Sequence, residues 1–159
     1  MHPNALEQMR IFQLIVEKPW QARQEFLQLN PAAQVPVLEE EGGLSICHSS
    51  VICEYADENG SGPSLYGKDP FLRAESRRIQ AWMDEKFFAE VTYELVFEKT
   101  IKQQKKIGGP DSAMMRQGKQ SLMMHVEYFD WLLSRRDWLA GEKFTVADIC
   151  AGAHLSCLD

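Results

Sequence analysis

The chain has 159 residues, 45% of them hydrophobic, enough for one domain or two small ones with a sizeable core. Acidic residues outnumber basic ones 23 to 17, a net charge of −6, which argues against non-specific nucleic-acid binding because that needs a basic footprint. No apolar run approaches membrane-spanning length, Met1 to Arg10 lacks the apolar core of a signal peptide, and four scattered cysteines (Cys47, Cys53, Cys150, Cys157) without Cys-x-x-Cys spacing read as reduced, mostly buried cytosolic thiols, not a zinc site.

In chain order, Phe12 to Lys18 carries Phe12, Leu14, Ile15 and Val16, which suits a short strand that Pro19 would end. Gln21 to Asn30 places Ala22, Phe26 and Leu29 at helical spacing, and Asn30-Pro31 stops that helix. Val35 to Leu38 and Leu44 to Cys47 are two strand candidates around Glu39 to Gly43, where Gly42-Gly43 signals a hairpin turn. Ser49 or Ser50 is then expected to cap a helix holding Val51, Ile52 and Tyr55 on one face. Asn59-Gly60-Ser61-Gly62-Pro63 reads as the linker.

Beyond it the pattern turns helical. Phe71 to Lys106 carries Ala74, Arg78, Ala81, Trp82, Phe88, Val91, Leu95 and Ile101 in rough register until Gly108-Gly109-Pro110 breaks it. Asp111 or Ser112 caps the next helix, with Met115, Leu122, Val126, Phe129 and Leu133 as its apolar stripe. The last helix starts at Thr145, whose hydroxyl caps it, while Asp148 answers the cap's own N–H in a variant capping box. Phe144 and Ile149 are placed to clasp as a hydrophobic staple, and Cys150 and Cys157 share a face expected to pack inward. The lysines at 99, 102, 105 and 106 read as a solvated helix end, and Met114, Met115, Met123 and Met124 as core or interface filler.

Three stretches resemble the glutathione S-transferase superfamily: Asn30-Pro31-Ala32-Ala33-Gln34-Val35-Pro36-Val37-Leu38, then Cys47-His48-Ser49-Ser50-Val51-Ile52-Cys53-Glu54-Tyr55, then the cap around Thr145 and Asp148. The resemblance implies an α/β thioredoxin-like N-terminal domain over residues 1–62, incomplete and missing its first strand. An all-α C-terminal domain over 63–159, also incomplete, would follow. It implies a cis Val35–Pro36 bond that turns the Val35 backbone toward the cysteinyl part of glutathione; taken alone, the pair reads as the trans start of an edge strand. It implies that Ser49 binds the γ-glutamyl carboxylate at a helix N-terminus, a role compatible with a plain cap. Cofactor-binding positions are therefore Val35, Pro36, His48 and Ser49, with glutathione as the cofactor and no metal.

The sequence departs from the family pattern at three places. His48 stands where the family has an acid, and an imidazole cannot supply the negative charge that meets the ligand's ammonium group. No Tyr, Ser or Cys lies between Met1 and Arg10, so the resemblance names no catalytic residue; His2-Pro3 reads as the end of a first strand and Gln8-Met9-Arg10 as a helix remnant. The family's helical domain also continues past Asp159, so the chain is expected to be shortened at both ends.

Glu17-Lys18-Pro19-Trp20, with Arg23 and Phe26, resembles a proteobacterial FzlA-type subgroup that keeps the fold and binds the division protein FtsZ. Trp82-x-Asp84-Glu85-Lys86-Phe87 and Ala153 to Asp159 resemble it too. Trp20 is either a core plug or an interface anchor, and this second resemblance implies the anchor. It also implies a cytoplasmic homodimer with FtsZ as partner, while the acidic balance and the lack of a long apolar run point to neither nucleic acid nor membrane. The alternative is a glutathione-dependent transferase or peroxidase acting on small electrophiles.

Overall fold

The computed structural model describes residues 13–158. The expectations placed on Met1 to Arg10, and on Phe12, lie outside them. The chain divides between Pro63 and Ser64 into two compact units.

The first unit opens without the expected strand: residues 13–18 form no regular structure, and Leu14, Ile15 and Val16 are 90%, 69% and 83% exposed. Strand propensity stabilises a strand only against a paired, half-buried surface, and none meets these side chains among the described residues. A 3-10 turn, Pro19–Gln21, follows, and Ala22 turns left-handed at φ +47° with its N–H on the Pro19 carbonyl. That conformation is incompatible with a helix, so α1 spans Gln24–Leu29, later than expected. It buries Phe26 and ends where the Asn30 N–H closes on the Phe26 carbonyl.

Strands β1 (Val37–Glu39) and β2 (Ser45–Cys47) pair antiparallel, with Val37 opposite Cys47, Leu38 opposite Ile46 and Glu39 opposite Ser45. The hairpin closes through Glu40 N–H to Leu44 O and Gly43 N–H to Glu40 O. Gly42 and Gly43 take φ of +112° and +84°, which only glycine adopts at little cost. Helix α2 (Ser49–Asn59) follows directly. Its N-cap is His48, not Ser49 or Ser50, and no side chain caps it. Ser49 is already the first helical residue, so its hydroxyl is past the position from which a cap oxygen reaches back to the first turn.

The second unit is helical. Asp69 caps α3 (Pro70–Ala81) by accepting from the Leu72 N–H at 2.8 Å, with Pro70 at the first position where its missing N–H costs nothing. The helix continues without a break through a π segment (Trp82–Thr92), α4 (Tyr93–Val96), a second π stretch (Phe97–Ile101) and α5 (Lys102–Lys105). Its buried apolar line is Ile79, Met83, Phe87, Val91 and Leu95. A period of four drifts about 40° per step around a regular α-helix, and the wider π turns take up that drift, holding the line on one face. Ala74 and Ala81 therefore face out, against the expected register, and Phe88 is 44% exposed.

Asp111 caps α6 (Ser112–Leu133) by accepting from Ala113 and Met114. Its buried line runs Gly118, Ser121, His125, Phe129 and Leu132, so Val126 and Leu133 from the expected stripe stay outside. The inward face carries small and polar residues that hydropathy does not mark. Helix α7 (Val146–Ser156) begins with the capping box: Thr145 Oγ1 accepts from Ala147, and Asp148 Oδ2 accepts from the Thr145 N–H at 2.8 Å. Phe144 sits edge-on to Trp138, and both Phe144 and Ile149 remain partly exposed. Cys150 is half-buried, but Cys157 is exposed beyond the last turn, correcting the inward reading.

α6 packs on the π segment and α4, and α7 packs on α3 and the π segment. The core they share is Ile79, Met83, Phe87, Val91, Phe129, Leu132, Leu139, Ala147 and their neighbours. Each large member contributes about 1.5–3 kcal/mol by leaving water.

Candidate functional site

The hairpin register assembles the first candidate site. Because Val37 pairs with Cys47, the residues before β1 and after β2 leave the ladder at the same end. Val35-Pro36 and His48-Ser49 therefore lie together although twelve residues separate Pro36 from Ser49 by chain. The Val35–Pro36 peptide bond is cis, and Val35 is 53% exposed.

Asn30 shapes the approach to this end. Its Oδ1 accepts from the Ala32 N–H at 3.1 Å and its Nδ2 donates to the Gln34 carbonyl at 2.8 Å, closing the loop ahead of Val35. Asn30 is 6% exposed, so these bonds also satisfy a buried amide. Read along the chain, Asn30 looks like a helix stop. The habit of asparagine side chains to bond backbone two residues on was the signal for this second role.

His48 carries φ +80° and ψ 130°, a region rarely taken by non-glycine residues. Its Nδ1 lies 2.8 Å from Ser50 Oγ, a partner that sequence reading did not name. Ser49 is exposed at the start of an eleven-residue helix, where unpaired N–H groups and the helix dipole favour an anion. Chemically, this end can take a carboxylate on Ser49 and the first turn of α2, and an extended peptide strand along Val35. The side chain beside them at position 48 is an imidazole, not a carboxylate, so it supplies no negative charge there.

Trp20 lies elsewhere in the same unit. It is 78% exposed, which removes the core-plug reading. Glu17 and Arg23 clamp the turn that carries it: Arg23 donates from Nε and Nη2 to the two Glu17 oxygens, and Glu17 also takes the Lys18 N–H at 2.9 Å. The Arg23 bond holds the Glu17 carboxyl below its usual range. The clamp reduces the turn's freedom and so lowers the ordering cost of any contact made by Trp20.

Among the described residues there is no group of three or more His, Cys, Asp or Glu that could hold a metal ion, and no helix long and apolar enough to cross a membrane.

Comparison with known proteins gives a consistent picture. Residues 6–59 match the family model of the glutathione S-transferase N-terminal domain, and residues 91–159 that of the C-terminal domain. FtsZ-localized protein A of Caulobacter vibrioides is 44% identical over 143 residues, covering 88% of this chain and 63% of that protein. A probable glutathione S-transferase of Nicotiana tabacum is 36% identical over 126 residues, covering 79% of this chain and 50% of that protein. Among solved structures, FzlA from C. crescentus aligns with a TM-score of 0.85 at 43% identity, covering 90% of this chain and 65% of that one. A glutathione S-transferase from Rhodospirillum rubrum F11 aligns with a TM-score of 0.85 at 46% identity, covering 91% and 65%. The chain thus spans about half to two thirds of the length of these relatives. A thioredoxin-like unit with a short sheet precedes a helical domain, as in those structures, and the two family models together match more than half of the sequence: the chain belongs to the glutathione S-transferase superfamily.

Proposed function

We propose that this is a glutathione S-transferase-like protein that acts by binding a partner, in the manner of FzlA-type cell-division regulators, with FtsZ as the partner and Trp20 as an anchor of the contact. The observation that carries the reading is the 44% identity to FtsZ-localized protein A across most of the chain. A rigidly presented, exposed tryptophan supports it, since Trp is enriched among residues that dominate binding energy. In this reading the protein is a cytoplasmic homodimer. Co-sedimentation with FtsZ polymers tests it. The chain pellets with polymer, and Trp20→Ala weakens binding about 30-fold, the equivalent of a 2 kcal/mol anchor. Failure of the wild-type chain to pellet with polymer overturns the reading.

The second reading is a glutathione-dependent transferase or peroxidase. The 46% identity to the Rhodospirillum rubrum glutathione S-transferase favours it, as does the convergence of Val35, Pro36 and Ser49 at one end of the hairpin. Here Val35 and Pro36 receive the cysteinyl backbone, Ser49 receives the glutamyl carboxylate, and His48 weakens the hold on the ammonium group. Retention on immobilised glutathione with release by free glutathione, lost in Ser49→Ala, is its signature. No retention of the wild-type chain counts against it.

A further inference from the structure

Two imidazoles flank the same buried ring. Phe87, on the π segment, meets His125 of α6 at 5.0 Å between ring centroids and His154 of α7 at 5.9 Å, edge-on in both cases. Each histidine also bridges back to the π segment through both ring nitrogens. His125 Nδ1 lies 3.0 Å from Trp82 Nε1, and its Nε2 lies 3.1 Å from Glu90 Oε2. His154 Nδ1 lies 3.0 Å from Thr92 Oγ1, and its Nε2 lies 3.4 Å from Asp84 Oδ1.

The two bridges differ in one chemical respect. An indole N–H donates and cannot accept, whereas a threonine hydroxyl does either by rotating. His125 must therefore present a bare Nδ1 to Trp82 and carry its proton on Nε2, toward Glu90. A second proton on His125 would set an N–H against the indole N–H, inside a site where the imidazole is 2% exposed. A second proton on His154 leaves both of its partners usable.

We propose that His125 is a proton-operated latch between α6 and the π segment: on taking up a second proton it releases the Trp82 indole and loosens that joint, while the His154 bridge to α7 holds. The charged groups around it set the balance. Glu90, on the π segment, draws the second proton in, and Lys86, itself paired with Glu90, opposes it. Glu94 follows one turn later on the same helix, and on the α7 side His154 with Asp84 stands beyond Phe87. Burial opposes the second proton most strongly and holds the imidazole below the ordinary histidine range. The released indole keeps its stack on Tyr128, at 4.8 Å, so it has a surface on which to turn.

The test is an NMR titration of the full chain from pH 8 to pH 5, with the Trp82 indole N–H signal identified by its loss in Trp82→Phe. The indole signal is expected to leave its bonded position along a one-proton curve. Its midpoint should coincide with that of the His125 ring signals, below about 6.5. His125→Asn keeps an acceptor oxygen and cannot titrate, so the step disappears there; it persists in His154→Asn. An indole signal that stays in place while His125 titrates overturns the proposal. So does the same step surviving in His125→Asn, or a His125 that never titrates before the chain unfolds. Should His125→Asn fail to fold, the co-titration in the wild-type chain decides alone.

Discussion

Asp148 holds the backbone N–H of Leu139 at 2.9 Å with one carboxylate oxygen while the other accepts from the Thr145 N–H at 2.8 Å. A residue known locally as half of a capping box thus also pins the loop that precedes its helix. Thr145→Ala should cost about 1 kcal/mol, an ordinary cap loss. Asp148→Ala should cost about 2 kcal/mol, because it strands two backbone donors. Denaturant titration of both variants distinguishes them, and equal losses would mean that the Leu139 bond contributes nothing.

Two glycines in helices should respond to alanine with opposite signs. A Cβ on Gly118 would stand 2.8 Å from Leu95 Cδ2, 3.0 Å from its Cγ and 3.3 Å from Glu94 Oε2. Leu95 is 5% exposed and has little room to yield, so Gly118→Ala should destabilise by about 1–2 kcal/mol despite the better helix former. Nothing lies within 4 Å of the same atom on Gly152 in α7, so Gly152→Ala should stabilise by about 0.5–1 kcal/mol. A stabilised Gly118→Ala variant in thermal unfolding would show that the α4–α6 contact is looser than described.

Glu94 should make stability fall as the solution becomes less acid. Burial first, and the neighbouring Glu90 second, raise its pKa, and its Oε2 has no hydrogen-bond partner. A carboxyl whose folded pKa is raised contributes stability that is complete below its unfolded value, about 4.5, and is lost as pH rises through the folded value. Glu94→Gln should therefore melt higher than the parent at pH 8 and gain nothing at pH 4. A pH-independent difference would remove the titration from the explanation.

Glu75 should act in the opposite sense at the acid end. Arg78 donates to both of its oxygens at 2.7 and 2.8 Å, Arg136 adds a bond at 2.9 Å, and these hold its pKa at about 2. A depressed carboxyl contributes stability above its unfolded pKa of about 4.5 that is lost as pH falls toward the folded value. Glu75→Gln should be the less stable protein at pH 6, with the gap narrowing below pH 4.5 and closing near pH 2. Parallel urea midpoints at pH 6, 4 and 2.5 read this directly, and a constant gap would assign the loss to packing.

Some features whose hydrogen bonds close within a few residues were legible in the amino-acid sequence alone, although the start of α2 at His48 and the left-handed turn at Ala22 were not. The Thr145–Asp148 box, the Gly42-Gly43 hairpin and the stop at Asn30 belong to this class, as does the cap of α6, narrowed by sequence to Asp111 or Ser112. In each, residue type and spacing dictate the local geometry, whatever surrounds it. The residues of the hairpin-end site were named through family resemblance, and their meeting was decided by the Val37–Cys47 register, which pairs segments distant in the chain. Burial was not legible. Leu14 to Val16 look like a strand and lie exposed, Trp20 could have filled a core and projects from a clamped turn, and His125, polar by any scale, is nearly sealed. A side chain is inside when another element covers it, and a polar one stays inside when that element brings its partner, as Trp82 and Glu90 do for His125. Those partners lie 43 and 35 residues away, so only the packing of α6 against the π segment could decide it.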